Sequence, residues 1–197
     1  MKRLLLILIL AFSFQILAKA DDITDFQIEG MSIGDSLLDF LSKEKILSEI
    51  KENKEVYKHF KPKNKFGEIY IADANTYNQI SFFVKKDDPK YKIHLIRGML
   101  RFDNNIEKCL KKKSEITKDI KNLFNNFKMR DYKVKANIDP SGRSYTLRTV
   151  FSFQKIDRIV IQCSHWEESF RIKNNFGGGI SVIIQTEEIF KWFSSSN

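Results

Sequence analysis

The sequence has few of the residues from which metal centres and nucleophilic sites are built. It contains three His and two Cys, and no His stands at metal-ligand spacing from a second His or a Cys. The P-loop, G-x-S-x-G, HExxH and EF-hand patterns are absent. We therefore predict no metal, no cofactor and no catalytic residues. The protein is expected not to be an enzyme, although its many carboxylates leave that question open.

Proline and glycine are also sparse, at three and eight residues, which argues against long linkers. Hydrophobic residues make up 42% of the chain and charged residues 30%, so the chain can bury a core and is not of a disordered type. Its 197 residues are enough for one domain of ordinary size. We predict that residues 21–197 form a single α+β domain.

The N-terminus carries the most specific signal of the sequence. Residues 1–3 are positively charged at Lys and Arg, residues 4–17 are apolar, and small residues follow up to Ala20. This layout is typical of a secretory signal peptide. A permanent anchor is the alternative, but the apolar run is shorter than the roughly 20 residues that span a bilayer. We predict cleavage between Ala20 and Asp21, no later transmembrane span, and a periplasmic or secreted protein.

Removing residues 1–20 lowers the formal net charge from +9 to +6. A basic exported protein can meet anionic lipid head groups, cell-wall polymers or nucleic acid, although the charge can equally serve solubility alone. Residues 54–65 form a basic loop with interleaved aromatic residues, which could bind a nucleic-acid backbone. An ordinary solvated loop has the same composition. We therefore expect another envelope protein or an anionic surface as the partner, and not nucleic acid.

Two cysteines in an exported chain predict one disulfide, because the compartment is oxidising. Cys109 lies on a predicted helix and Cys163 on a predicted strand. Closing the loop of roughly 55 residues between them would stabilise the fold by about 4 kcal/mol. Cys163 and His165 could share one face of a strand and suggest a nucleophile, but we expect the disulfide to consume the thiol.

Hydrophobic periodicity defines the predicted elements. Apolar residues recur at three- and four-residue intervals over residues 105–128, which predicts one long amphipathic helix. Short helices are predicted at 32–41, at 42–52 and after Thr186. The predicted strands are 66–72, 77–84, 91–102, 131–138, 143–153, 158–166 and 180–185. We predict an α+β fold: a mainly antiparallel sheet of about six or seven strands packed against the long helix, with short flanking helices.

Two glycine positions suggest local features. Gly98 lies inside the third predicted strand, which indicates a bulge or the close approach of another backbone. Residues 177–179 are three consecutive glycines, and no Lys-Ser or Lys-Thr follows them, so they do not predict a phosphate-binding loop. A mobile loop or a sharp turn is expected there.

Three stretches carry a resemblance to a known family: FQIEGMSIGDSLLDFLSKEKI, NNIEKCLKKKSEI and IDRIVIQCSHW. They resemble small exported proteins of SAR11-type marine alphaproteobacteria over nearly the whole mature chain. The resemblance implies export, but it implies no activity and no site residues. The I-G-x-S-L start of a helix is also similar to the opening of outer-membrane assembly lipoproteins with the β-lactamase-inhibitor-like fold, whose lipobox Cys this sequence lacks.

The favoured function is that of a soluble periplasmic protein that acts by binding, as an envelope-accessory protein without catalytic activity. Its candidate contact surfaces are the Lys-rich side of the long helix and residues 54–65. One alternative is a carboxylate-dependent hydrolase acting on a cell-wall or polymer substrate, which would need a deep cleft with two facing carboxylates. Another is a protein inhibitor of an enzyme, with residues 174–179 as a protruding loop.

Overall fold

The computed structural model of the protein describes residues 23–52, 65–72, 74–153 and 157–195. Within these residues the chain folds into one antiparallel sheet and four α-helices. The strands are β1 (Phe66–Ala72), β2 (Gln79–Lys85), β3 (Ile93–Arg101), β4 (Lys128–Lys135), β5 (Tyr145–Ser152), β6 (Arg158–His165) and β7 (Gly179–Gln185), and the helices are α1 (Lys43–Glu52), α2 (Ile106–Leu123), α3 (Glu168–Asn174) and α4 (Glu187–Ser194). The predicted α+β class with a mainly antiparallel sheet is confirmed.

The sheet has the strand order β1-β2-β3-β7-β6-β5-β4, and every neighbouring pair is antiparallel. The last strand in sequence, β7, therefore lies in the middle, between the β1–β3 meander and the β4–β6 meander. Both edge strands, β1 and β4, are the first strands of their meanders. The short turns predicted within each meander are consistent with this order.

The predicted arrangement of one long helix against the sheet is only part of the structure. Helix α2 packs on β6 and β7 on one face, whereas α1 contacts β1 and α4 contacts β3. Ile189 and Trp192 of α4 pack with Phe66, Phe83 and Leu95. These three strand residues lie on the side of the sheet opposite the one that α2 covers. Helices thus lie on both faces. No helix among the described residues combines the length and the apolar character needed to cross a membrane.

The long helix is shorter than predicted. It begins after Asn105, whose side chain accepts a hydrogen bond from the Lys108 N–H at 2.9 Å, and it ends at Leu123. Phe124 is already extended and packs edge-on against Phe153, with 4.9 Å between the ring centroids. Aromatic packing therefore stops the helix, and β4 starts at Lys128 instead of the predicted residue 131.

Two further predictions are corrected near the smaller helices. The predicted helix at 32–41 is only a 3-10 turn, Leu37–Asp39, because the backbone around it bonds to the start of β3 instead. The Gly34 N–H donates to the Ile93 carbonyl at 2.8 Å, for example. Conversely, α3 was not predicted. The Glu167 side chain caps it by accepting from the Phe170 N–H at 2.8 Å.

The two cysteines lie at bonding distance in the core, as the disulfide prediction requires. The sulfur atoms of Cys109 on α2 and Cys163 on β6 are 2.03 Å apart, and the Cα atoms are 5.8 Å apart. Both side chains are buried among the apolar residues between α2 and the sheet. The pair joins α2 to the face of the sheet that it covers.

The glycine predictions hold only in part. The register shift between β2 and β3 lies opposite Phe83 and Val84 and leaves His94 as the extra residue, so the bulge predicted at Gly98 is wrong. At Gly98, a Cβ atom would stand 2.6 Å from the ring of Tyr77. The close approach predicted at this glycine is therefore made by a side chain and not by another backbone. Gly179 begins β7 opposite Arg101, where the sequence suggested a loop or turn.

Replacing Gly179 with Ala is expected to lower the free energy of unfolding by about 3 kcal/mol, because overpacking against backbone cannot be relieved by a rotamer change. The new Cβ would lie 2.0 Å from the Leu100 carbonyl oxygen. Urea denaturation measures the change. Gly177→Ala is the matched control, since its Cβ would meet Arg101 only at ordinary contact distance. Equal stability of the two variants would contradict the close backbone approach.

Candidate functional site

The two faces of the sheet are covered to different extents. Strand residues alternate between faces, and those beneath α2 form the main core. We call the opposite side the open face. Helix α4 covers its β1–β2–β3 end, where Ile189 and Trp192 pack against the sheet. The part made by β4, β5 and β6 contains a groove with a volume of about 480 Å³.

The groove is strongly basic. Four of its lining residues are cationic: Lys128 and Arg130 on β4, Arg148 on β5 and Arg158 on β6. None of its lining residues is Asp or Glu. The remaining lining is apolar, aromatic or neutral polar: Tyr132, Val134, Val150, Ser152, Val160, Gln185 and Phe190. We call this the basic groove. It combines positive charge with an apolar floor.

The strand register brings these cations close together. Arg130 stands opposite Val150, and Val150 is two residues from Arg148, so the two arginines are diagonal neighbours. Such positions are roughly 7–8 Å apart in an antiparallel pair. Arg158 lies opposite Ser152 on the next strand. Like charges at these spacings repel one another, and no carboxylate lines the groove to offset the repulsion.

Several polar atoms of the open face are buried without a hydrogen-bond partner in the described part of the chain. They are Arg148 Nε, Arg158 Nε and Thr146 Oγ1. Burial lowers the pKa of the Arg148 guanidinium, but the group remains charged at any physiological pH. An unsatisfied buried donor is destabilising, so an acceptor from outside the chain, either water or an anion, would stabilise these groups.

Another arginine of the same face, Arg97, has an acidic partner within the chain. Arg97 on β3 donates to Glu68 Oε1 at 2.9 Å and to Ser81 Oγ at 3.1 Å. The Glu68 side chain is fully buried beside it. Arg97 is thus neutralised within the chain, whereas the ion pairs of the described residues include none for the cations of the basic groove.

Helix α4 positions Arg158. The guanidinium lies over the ring of Phe190, with 3.5 Å from Cζ to the ring centroid, a cation–π contact that orients the fork. The helix is held in place at its first turn, where Thr186 caps it and the Asp157 carboxylate accepts from the Glu187 N–H at 3.0 Å. The geometry of the groove therefore depends on the docking of α4.

A cluster around Glu188 anchors the same turn to the sheet. Glu188 pairs with Lys65 at 2.8 Å and with Lys85 at 2.9 Å, and it lies 3.6 Å from His94 Nδ1. The bulge directs His94 against the ring of Phe66, with 5.2 Å between the ring centroids. Burial lowers the pKa of His94, helped by the two lysines and opposed by Glu188 and Asp88.

This lowered pKa predicts acid sensitivity. Because His94 binds a proton less readily in the folded chain than in the unfolded chain, its contribution to stability is full above about pH 6.5 and falls as the pH drops through the folded value. We expect the free energy of unfolding to decrease from about pH 7 to about pH 5. Urea titrations at each pH should show a smaller decrease in His94→Gln. An identical decrease in both proteins would contradict this assignment.

The open face continues beyond the basic groove into two smaller grooves of about 350 and 290 Å³. The first shares Arg148 and Val160 with the basic groove, and the second shares Gln162 and Arg97 with the first. The last groove ends at Trp166, whose indole N–H donates to the Gly177 carbonyl at 3.2 Å. The three grooves form one continuous surface across the sheet.

The residues singled out from the sequence lie elsewhere. Cys109 and Cys163 are on the covered face, and His165 stacks on Tyr145 on that same face, with 5.0 Å between ring centroids. Ala20 and Asp21, with the predicted cleavage, lie outside the described residues, as do residues 54–64 of the basic loop.

The other two candidate surfaces are less suited to an anion or a protruding contact. On α2, a few acidic residues lie among the lysines, and Lys112 pairs with Glu115 at 3.1 Å. Residues 174–179 pack against the rest of the fold and do not protrude. The ring centroids of Phe176 and Trp166 are 4.7 Å apart, and the Gly178 carbonyl accepts from the Phe102 N–H at 2.9 Å. Neither surface combines several cations with a groove that has no carboxylate among its described lining residues.

Sequence reasoning did not single out the basic groove. Placing β4 three residues too late left Lys128 and Arg130 in the predicted helix and turn. Once the strand is placed at residue 128, Lys128, Arg130, Tyr132 and Val134 share one face. Lys133 and Lys135 lie on the other face, so the sequence alone does not distinguish a basic face. Comparison of the chain with protein-family models, curated proteins and solved structures gives no match.

Proposed function

We propose that the chain is an exported, non-catalytic binding protein that holds an anionic partner in the basic groove. One observation carries this proposal: four cations converge on a groove with no lining carboxylate, and two of them bury an Nε–H that has no acceptor in the described chain. The chain forms its own ion pair for Arg97 on the same face. An external anion would do the same for Arg148 and Arg158.

The residue types fit this role. A guanidinium is planar and presents its donors as a fork that matches carboxylate or phosphate in a bidentate manner, so arginine is favoured wherever such groups are bound. Three of the four cations in the groove are arginines. The apolar floor lowers the local dielectric constant, which strengthens each charged hydrogen bond.

The cysteine pair and the N-terminal sequence support an envelope location. Disulfides persist in oxidising compartments, and Cys109 and Cys163 lie at bonding distance. The partner in such a compartment is an acidic face of another envelope protein or an anionic surface, and the protein would act as an accessory to it. The hydrolase alternative receives less support, because none of the three grooves on the open face is lined by Asp or Glu.

The proposal is tested with two variants of one strand. Arg130 faces the groove and Lys135 faces the other side of β4. Arg130→Gln is expected to weaken binding of dextran sulfate about fivefold at low salt, the range for one partly exposed ion pair of about 1 kcal/mol. Lys135→Gln removes the same charge and should change the affinity less than twofold. Fluorescence titration of the labelled polymer measures both.

Salt provides the second part of this test. Ionic screening weakens interactions between exposed charges, so binding of the polymer should weaken as salt is raised, and less steeply in Arg130→Gln than in the wild type. Absence of polymer binding at low salt, or equal losses in the Arg130 and Lys135 variants, would overturn the proposed function.

A further inference from the structure

We infer that the anionic partner is an acidic glycan, a sugar chain bearing carboxylates or phosphates, which lies across the strands of the open face from Tyr132 towards Trp166. This inference rests on the proposed function and deepens it. The basic groove accounts for the acidic groups. A row of side chains that starts in this groove and continues through Gln162 and Ser181 accounts for the sugar hydroxyls.

The register defines that row. Tyr132, Arg148, Gln162, Ser181 and Met99 stand opposite one another on β4, β5, β6, β7 and β3 in turn. Neighbouring strands lie about 4.8 Å apart, so a chain crossing the sheet meets a new side chain at each step. All five residues line the three connected grooves of the open face.

The chemistry of the row matches hydroxyl groups. A sugar hydroxyl both donates and accepts a hydrogen bond, and so do the Gln162 amide and the Ser181 hydroxyl. Neither side chain has a hydrogen bond within the described residues. The buried Thr146 Oγ1, two residues from Arg148, is also without a partner there. The row therefore offers several polar groups that the fold itself does not use.

The apolar part of the face fits the ring faces of sugars. Val150, Val160 and Ile183 form the next row and stand opposite one another. Tyr132 lies at one end of the surface, with its side chain 45% exposed, and Trp166 at the other. Aromatic rings with a polar tip suit partners that have both an apolar face and polar edges.

Other anionic polymers fit this face less well. Single-stranded nucleic acid is bound on sheet faces by stacking of bases on aromatic side chains, and the central positions here are Val150, Val160 and Ile183. An extended acidic peptide would use main-chain hydrogen bonds at a sheet edge. The unused groups of this face are side chains of the sheet interior, away from the edges.

The experiment compares polymers with the purified full chain by titration calorimetry at one salt concentration. The probes are oligogalacturonate, a phosphorylated mannan oligosaccharide, poly-L-glutamate, oligothymidylate and neutral maltoheptaose. At least one acidic glycan is expected to bind about tenfold more tightly than poly-L-glutamate and oligothymidylate, and maltoheptaose more weakly than either glycan. Which glycan is preferred identifies carboxylate or phosphate as the acidic group.

Two variants that leave the charge unchanged make the test specific. Gln162→Leu and Ser181→Ala should each weaken glycan binding about three- to tenfold, and each should change poly-L-glutamate binding less than twofold. Thermal unfolding of both variants checks that the fold is retained. If Gln162→Leu does not fold, the smaller change Ser181→Ala still gives the comparison of glycan with polypeptide. Equal losses for glycan and polypeptide, or tightest binding of oligothymidylate, would overturn the glycan inference.

These outcomes differ from failure of the proposed function. If Arg130→Gln weakens every polyanion but no glycan is preferred, the groove binds anions and only the glycan inference is wrong. If no polyanion binds the wild-type protein, both are wrong.

Discussion

Replacing Arg148 with Met is expected to weaken binding of an anionic partner about 10- to 100-fold while raising the stability of the free protein by about 1 kcal/mol. The first effect follows from loss of a charge-assisted hydrogen bond, which contributes about 1.5–3 kcal/mol. The second follows because Arg148 buries an Nε–H without a partner in the described chain and stands diagonal to Arg130. Met has a side chain of similar length, and it removes both the unpartnered N–H and the repulsion with Arg130.

The opposite signs of these effects separate a binding residue from a structural one. Replacing an arginine that stabilises the fold would lower the free energy of unfolding. We expect this for Arg97→Met, because the substitution would leave the buried Glu68 without its partner. Urea denaturation and titration with dextran sulfate give the two quantities for each variant. A loss of stability in Arg148→Met comparable to that in Arg97→Met would show that Arg148 serves the fold, and would contradict its assignment to the site.

The contrast between Arg148 and Arg97 also bears on the proposed function, in which one sheet must be stable and also bind a partner. At the β1–β3 end, α4 covers part of the open face and Glu68 pairs with Arg97. At the β4–β6 end, the strands carry cations that repel one another, and the fold tolerates this because α2, the disulfide pair and the main core lie on the other face. In the proposed function, the face covered by α2 thus supplies stability and the open face supplies recognition.

Much of the fold could be predicted from the sequence, because local pattern determines it. Alternating hydrophobicity located all seven strands, with β1 correct to the residue, and three- and four-residue periodicity located α2. The cysteine pairing followed from the number of cysteines. Where prediction failed, tertiary contacts decided the outcome: packing of Phe124 ended α2 early, and bonds to β3 prevented a helix at residues 32–41.

The candidate site could not be predicted in the same way. Its cations come from β4, β5 and β6, and they converge only through the strand register. The central position of β7, which continues the surface towards Trp166, depends on a pairing of β3 with β7 that no local pattern specifies. Whether an arginine has an acidic neighbour is also a property of the assembled sheet, as Arg97 and Arg148 show.

Replacing both cysteines, as Cys109→Ala with Cys163→Val, is expected to lower the free energy of unfolding by about 4 kcal/mol. The two residues are 54 apart in sequence, and opening a loop of that size returns about this much chain entropy to the unfolded state. For a domain whose total stability is about 5–15 kcal/mol, this is a large fraction. Urea denaturation of wild type and double variant measures the difference.

The same variant distinguishes stabilisation of the fold from construction of the site. Because the cysteines lie on the face covered by α2, whereas the basic groove lies on the open face, we expect affinity for dextran sulfate to change less than twofold where the variant is folded. Wild-type protein reduced with dithiothreitol is the matched control, since it loses the bond and retains both sulfur atoms. It should lose nearly the same stability as the double variant. If the free energies of unfolding of the reduced wild type and of the double variant both lie within about 1 kcal/mol of that of the oxidised wild type, chain entropy does not govern the contribution of this disulfide.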